Sequence, residues 1–265
     1  MLQVKLKYLL LLFVSGFVWS GSNTDVQNTL APERIIKFAK DIEKYAASQG
    51  AHAFIISRVG RPENALPKGI KYTHTAIAVY SNITLDDDEV VQGYAIHNLY
   101  QNSDDLSKSQ LVMDFPVDFF WGVNTLKAGI VIPTPNIQLR LIELIEQGQN
   151  HELHNKNYSV ISNPLNSKLQ NCTEHTLDML QAAIYQTLDV KQIKANSRAY
   201  FKPHELGTSR FKLMFGSWFM DDVTLADHSG KVATTTFTSI YQYLDKYKLT
   251  KHAVDFMEDS QTLTL

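Results

Sequence analysis

A predicted β-hairpin constrains the fold of this 265-residue chain more than any other feature of its sequence. Residues 72–80 (YTHTAIAVY) and residues 90–99 (VVQGYAIHNL) are rich in alternating β-forming side chains. The acidic run between them, residues 86–88, is typical of a solvated turn. Two neighbouring strands joined in this way predict an antiparallel sheet, and Gly93 marks a position where a bulge would fit.

The segments around this hairpin predict the rest of the fold. Apolar residues recur at helical spacing in residues 31–49, 135–147, 172–185, 190–199 and 238–247. Further strands are predicted at residues 52–59 and 128–132, and a second hairpin is predicted to pair residues 223–226 with residues 231–236. Short strands and helices in this mixed order indicate the α+β class, with an antiparallel sheet packed on helices.

The N-terminus has the pattern of a secretory signal peptide. Lys5 and Lys7 precede an apolar run at residues 8–19, and small residues follow at positions 20–22. The run is shorter than the roughly 20 residues that a membrane-spanning helix needs. We therefore predict a signal peptide at residues 1–22 and a mature protein without a transmembrane segment that is periplasmic or secreted. An uncleaved N-terminal anchor is the alternative.

Composition and motif spacing exclude several classes of function. The formal net charge of −2 provides no basic surface for nucleic acid. His151 and His154 have helical spacing in the segment HELH, but a zinc site usually needs three or four ligands, and no further ligand spacing supports one. We interpret HELH as a solvated linker and predict neither a metal nor another cofactor.

The single cysteine, Cys172, is predicted to lie in the first turn of a helix, with Asn171 as its N-cap. One cysteine cannot form an internal disulfide, so in an exported protein the thiol is intermolecular, reactive or part of the core. The unpaired amides and the dipole at a helix N-terminus favour a thiolate and lower the pKa of a cysteine. The same amides can stabilise an oxyanion. The position therefore favours a nucleophile over a core cysteine.

A cysteine nucleophile needs a base, and His74 is the best candidate because it lies within the 72–80 strand. Ala76 and Ala78 follow on the same face of that strand, and both are small. We therefore expect the helix of Cys172 to approach this face closely.

A third polar group would hold the ring of His74 in one tautomer. His97, near the end of the neighbouring strand, is the first candidate, and Asn98 is the alternative because strand register decides which of them faces His74. His175 lies one turn after Cys172 and is a weaker candidate for the base, because both side chains would project from the same helix.

Two motifs together resemble those of circularly permuted papain-like proteins, in which the histidine strand precedes the cysteine helix. The segment Asn171-Cys172-Thr173-Glu174-His175 is similar to the Asn-Cys-Glu-His-Phe motif of lecithin retinol acyltransferase-like proteins, with a threonine inserted after the cysteine and no aromatic residue. More of the chain resembles a bacterial exported family known as domain of unknown function 2145. That resemblance extends from residues 55–60 through the hairpin to Asp227-His228 and the helix after it.

The resemblance implies a single circularly permuted papain-like domain over residues 23–265, with a C-terminal extension. It implies Cys172 as nucleophile, His74 as base and, less securely, His97 as the third residue. Such a site would belong to a cysteine hydrolase or acyltransferase acting on an amide, ester or thioester in a small-molecule, peptide or lipid substrate. The resemblance specifies no individual substrate. A non-catalytic periplasmic binding or scaffolding domain with the same fold is the alternative.

Overall fold

The computed structural model describes residues 30–62, 66, 68–84, 88–207 and 224–265, and the structural statements below refer to these residues. The predicted signal peptide lies outside them. The helices are α1 (Pro32–Ser48), α2 (Pro116–Phe120), α3 (Pro135–Glu146), α4 (Cys172–Tyr185), α5 (Val190–Tyr200) and α6 (Phe237–Lys246). The strands are β1 (Ala53–Val59), β2 (His74–Thr84), β3 (Val90–Gln101), β4 (Ser109–Asp114), β5 (Thr125–Pro133), β6 (His204–Glu205), β7 (Ala233–Thr234), β8 (Thr250–Met257) and β9 (Thr262–Thr264).

Seven strands form one antiparallel sheet in the order β4-β3-β2-β1-β5-β8-β9. The predicted β2–β3 hairpin and the predicted α+β class are confirmed. Every residue of β1 is buried, although only alternate residues of a strand point to one face. Continuous burial of this kind arises because helices cover both faces of the sheet.

The two faces of the sheet belong to two separate apolar cores. On one face, Ile77 and Val79 of β2 pack with Leu177 and Leu180 of α4, and residues of α3 and α6 complete this core. On the other face, Ala76 and Ala78 belong to the core formed with α1 and α2.

The expectation that the cysteine helix approaches Ala76 and Ala78 is therefore wrong. Helix α4 lies on the opposite face, where the Thr176 hydroxyl donates to the Thr75 carbonyl oxygen at 3.4 Å. The larger apolar side chains of that face supply the buried contact with α4, whereas the small alanines leave room for the rings of the other core.

Two further features of the fold differ from the predictions. Strand β8 forms a long antiparallel pair with β5, yet its sequence TKHAVDFM begins with polar residues and gives a weak strand pattern. The predicted second hairpin is wrong because β7 pairs with β6, and residues 224–226 form no strand. In the part of the chain described, no helix is both long and apolar enough to cross a membrane.

Candidate active site

Cys172 begins α4, as the sequence predicts. The side-chain oxygen of Asn171 accepts a hydrogen bond from the backbone N–H of Glu174 at 2.8 Å, which makes Asn171 the N-cap. This bond satisfies one of the amides that a helix start leaves unpaired.

The thiol of Cys172 lies against the strand that carries His74. Its sulfur accepts a hydrogen bond from the backbone N–H of Thr75, and the Thr173 hydroxyl oxygen lies 3.7 Å away. The described ladder between β2 and β3 starts only at Ile77, so Thr75 lies where the two strands have stopped pairing. Cys172 is therefore in contact with the residue that follows His74.

Burial raises the pKa of Cys172 above its ordinary value. The hydrogen bonds from Thr75 and Thr173 and the positive charge of Arg58 oppose this shift without reversing it. The lowered pKa expected from the helix N-terminus is thus not found, because Cys172 is only 7% exposed and the cost of burying a thiolate dominates.

His74 is held by Asn98 in one tautomer. Its Nε2 atom lies 2.9 Å from the Asn98 side-chain oxygen. The Asn98 side-chain nitrogen donates to the Ile96 carbonyl oxygen at 3.0 Å and to an Asp114 carboxylate oxygen at 3.1 Å, and these two acceptors fix the orientation of the amide. Because an amide oxygen only accepts, Nε2 of His74 carries the hydrogen. The other ring nitrogen, Nδ1, is then the basic one.

Tyr100 covers one side of the His74 ring. The two rings stack with centroids 4.7 Å apart and planes inclined by 9°. The Tyr100 hydroxyl donates to Asp114 at 2.6 Å, so a single carboxylate accepts hydrogen bonds from both Asn98 and Tyr100. Asp114 therefore orients both Asn98 and Tyr100, which contact the imidazole together with the ring of Phe119.

The imidazole of His74 is neutral in this environment. Burial and, as the smaller cause, the charge of Arg58 together lower the pKa of His74 to about 3, against the opposing hydrogen bond with Asn98. Arg58 is the direct cross-strand neighbour of His74 between β1 and β2. Its guanidinium lies 5.7 Å from the centroid of the Tyr100 ring and 5.1 Å from that of Phe119.

The structure brings Asn98, and not His97, to His74. His97 pairs with Ile77 and so shares its face of the sheet, which is the face covered by α4. A step of one residue along a strand reverses the face. Burial lowers the pKa of His97 to about 4, and the only charged neighbour that affects it is His151. The expected contact between His97 and His74 is therefore corrected in favour of the alternative, Asn98.

Cys172 and His74 approach the same end of β2 from different faces of the sheet. Among the described residues, no hydrogen bond joins the sulfur to a nitrogen of His74; its partners are Thr75 and Thr173. The thiol nevertheless lies within electrostatic range of both Arg58 and Tyr100, which border the His74 ring. The thiol and the imidazole are thus neighbours without direct contact.

His175 has a different environment from His74. Its ring donates to the carbonyl oxygen of Leu153, and its centroid lies 6.2 Å from that of His154. His154 in turn lies 3.0 Å from the Ser109 hydroxyl oxygen. HELH is therefore part of the packing around His175 and β4, and no group of three or more potential ligands in the described residues is arranged to hold a metal ion.

A second buried polar cluster connects α4 to α5. Lys194 donates to Glu174 at 2.7 Å and to Asp178 at 2.7 Å, and all three side chains are buried. Burial raises the pKa of Glu174, and the charge of Asp178 adds to this effect against the opposing charge of Lys194. This cluster keeps α5 attached to the helix that carries Cys172.

Sequence reasoning missed three groups of the His74 network, namely Arg58, Tyr100 and Asp114. An arginine within the apolar run of β1 was a detectable signal, because charged side chains are rarely buried without a role. Asp114 gave no comparable signal, since it lies at a strand end where acidic residues are common.

Comparisons with known proteins give a family and no individual relative. The profile of a family described as an uncharacterized protein conserved in bacteria, DUF2145, matches residues 45–244. No curated protein and no solved structure matches the chain significantly.

Proposed function

The chain belongs to the bacterial DUF2145 family, and we propose that it is a cysteine hydrolase or acyltransferase acting on an amide, ester or thioester bond. The observation that carries this proposal is the oriented, neutral imidazole of His74 beside the only thiol of the chain. Asn98 fixes the hydrogen on Nε2, which leaves Nδ1 free to accept a proton.

The raised pKa of Cys172 and the lowered pKa of His74 determine the first step of the proposed mechanism. The resting pair is a neutral thiol and a neutral imidazole, so the proton leaves sulfur for Nδ1 as the sulfur attacks the carbonyl carbon. This step requires substrate binding to bring the two groups into hydrogen-bond range, as catalytic contacts often tighten only in the complex. Backbone amides of the first turn of α4 hold the oxyanion.

The second half of the reaction reverses these roles. The protonated His74 gives its proton to the leaving group as the carbon–leaving-group bond breaks, and an acyl thioester remains on Cys172. Water or another acceptor then attacks the thioester carbonyl, and Nδ1 takes the proton of the attacking group. The sulfur leaves as the carbon–sulfur bond breaks, and that proton returns to it. The choice between water and another acceptor separates hydrolase from acyltransferase.

The order His74, Asn98, Cys172 along the chain supports a circularly permuted papain-like arrangement as the finer description of the fold. We further propose that the protein acts in the periplasm or outside the cell, on the basis of its N-terminal pattern. Sequencing the N-terminus of protein purified from the native host tests this location. We expect a start near Asn23, and an intact N-terminus in cytosolic protein would contradict it.

Trapping an acyl-enzyme tests the activity. Incubation with p-nitrophenyl acetate and small acyl thioesters should add one acyl group to Cys172 of the wild type, detected by peptide mass spectrometry. Cys172→Ala should acquire none at that peptide, and His74→Ala should acquire it about 10²-fold more slowly, the usual contribution of general acid–base help. His175→Ala is the matched control and should resemble the wild type.

One observation favours a second candidate function, a non-catalytic binding domain. The thiol is buried, and its sulfur forms no hydrogen bond with His74 in the described structure. Under this alternative Cys172 is a packing residue, and the hydrogen bond of His74 with Asn98 serves only to stabilise the sheet. Acylation of Cys172 at the same rate in the wild type and in His74→Ala would favour this function over the catalytic one.

A further inference from the structure

We infer that the candidate site binds a negatively charged group of its substrate, a carboxylate or a phosphate, through the guanidinium of Arg58. This inference rests on the proposed function, because it assigns the substrate class of the same site. It is carried by a buried cation that lacks a carboxylate partner and adjoins both the thiol and the imidazole.

Arg58 is buried, with 6% of its surface exposed. One guanidinium nitrogen, Nη1, donates to the Phe119 carbonyl oxygen. The Nε–H is buried, and no acceptor for it is present in the described ranges. No described carboxylate lies within ion-pair distance of Arg58, and an arginine side chain remains protonated in proteins.

Among the described residues, Lys194 is the other deeply buried cation, and its surroundings show how a structural charge is paired. Lys194 is as buried as Arg58, and two carboxylates lie within 2.7 Å of its nitrogen. Buried charges are normally paired in this way because their desolvation is costly. Arg58 instead receives two aromatic faces and one carbonyl, which compensate a charge only in part. The difference indicates that the anionic partner of Arg58 comes from outside the described residues, and we assign it to a bound ligand.

The position of Arg58 shows which ligand it would meet. It is paired with His74 across β1 and β2, and its charge lowers the pKa of both His74 and Cys172. An anion bound by Arg58 would thus lie close to a carbonyl attacked by the thiol. The hydrogen bond from Arg58 to the Phe119 carbonyl oxygen attaches α2 and uses one N–H group. An arginine has five N–H donors, so the remaining ones are left for a ligand.

Two small alkylating reagents test the inference on the intact protein. Iodoacetate and iodoacetamide react in the same way: a sulfur–carbon bond forms, the carbon–iodine bond breaks, iodide leaves and the thiol loses its proton. Only iodoacetate carries a negative charge. The ratio of the two rates on Cys172, divided by the same ratio for a free small thiol, therefore measures anion recognition separately from thiol reactivity.

We expect the normalised ratio to exceed one by about tenfold or more in the wild type, since charge-assisted hydrogen bonds are the strong ones. Arg58→Met should return the ratio to about one, and Arg58→Lys should give an intermediate value because a lysine keeps the charge without the planar fork. Arg140→Met is the matched control and should keep the wild-type ratio. Arg140 also donates from Nη1 to a backbone carbonyl, that of Ala183, at 3.1 Å, near the other end of α4.

Competition on the wild type identifies the kind of anion. If the substrate group is a phosphate, inorganic phosphate should slow the alkylation of Cys172 by iodoacetate more than added acetate does. If the substrate group is a carboxylate, acetate should be the stronger inhibitor. These measurements also decide the question if Arg58→Met fails to fold, because protection of Cys172 by either anion, and weaker protection in Arg58→Lys, need no other variant.

Two results would overturn the inference. A wild-type ratio of about one, without protection by either anion, means that Arg58 binds no anion. An equal loss of rate with both reagents in Arg58→Met means that Arg58 acts on the thiol alone. In both cases slower acylation of Cys172 by p-nitrophenyl acetate in His74→Ala would still support the proposed function, so failure of the inference is distinct from failure of the function.

Discussion

The network around His74 and the cluster around Lys194 bury polar groups in opposite ways. Around His74, hydrogen bonds orient the polar side chains, and the neutral ring keeps one basic nitrogen, Nδ1, that does not bond to Asn98. Around Lys194 one cation lies between two carboxylates, and the ion pairs themselves attach α5 to α4. Polar groups that are oriented without full charge pairing thus lie in the region that we propose to be reactive, whereas complete charge pairing is found in the cluster that joins two helices.

The largest expected effect comes from breaking the charge-paired cluster. Lys194→Met leaves the carboxylates of Glu174 and Asp178 buried without a cation, which should reduce the free energy of unfolding by about 3–5 kcal/mol. Urea unfolding followed by circular dichroism measures it. Lys191→Met, at an exposed position of the same helix, is the control and should change stability by less than about 0.5 kcal/mol. Equal effects of the two substitutions would show that the cluster is not structural.

Acid should unfold the protein because its buried histidines are neutral. Burial lowers the pKa of His74 and of His175 to about 3, below the value of about 6.5 for an unfolded chain. Their contribution to stability is complete above pH 6.5 or so and is lost as the pH falls towards the folded pKa. Each histidine should cost up to about 1.4 kcal/mol per pH unit in this window.

The measurement for this prediction is the free energy of unfolding in urea between pH 7 and pH 4. His74→Gln should reduce the slope of the free energy of unfolding against pH by the contribution of one proton, up to about 1.4 kcal/mol per pH unit, because glutamine does not titrate. A slope that is the same in His74→Gln and in the wild type would mean that His74 is protonated in the folded protein.

A smaller effect is expected from the carboxylate that orients the His74 network. Asp114→Asn removes the charge of the carboxylate that accepts hydrogen bonds from Asn98 and Tyr100. We expect the free energy of unfolding to fall by about 1–2 kcal/mol. The substitution should also slow acylation of Cys172 by p-nitrophenyl acetate, because the hydrogen bond from Asn98 that helps to hold its oxygen towards His74 would be weakened. Tyr100→Phe is the comparison variant, since it removes the hydroxyl that donates to Asp114 and leaves the donation from Asn98 in place. An unchanged acylation rate in Asp114→Asn would separate Asp114 from the site.

The sequence predicts the parts of this molecule whose signals are local. Strands β2 and β3 alternate strongly, and α4 has a regular apolar spacing with an N-cap, so their existence follows from short-range patterns. Strand β8 was missed because its buried pairing with β5 is a tertiary effect that a polar start conceals.

The candidate site was predictable only in part for the same reason. Cys172 and His74 are recognisable by residue type and position, but the choice between His97 and Asn98 depends on register, which one strand does not reveal. The contacts of Asp114 with Asn98 and of Arg58 with Phe119 join residues far apart in sequence, 16 and 61 positions respectively. The face of the sheet on which α4 packs is likewise set by long-range contacts, because it depends on which side chains fill each of the two cores.

The rate at which p-nitrophenyl acetate acylates Cys172, measured against pH, tests the central claim most directly. If Nδ1 of His74 accepts the thiol proton, the wild type should react at neutral pH about 10²-fold faster than His74→Ala, while His175→Ala should match the wild type. At high pH the three proteins should converge, because the thiol then ionises without help. Identical profiles for the wild type and His74→Ala across the whole pH range would contradict the account and leave Cys172 as a buried packing residue.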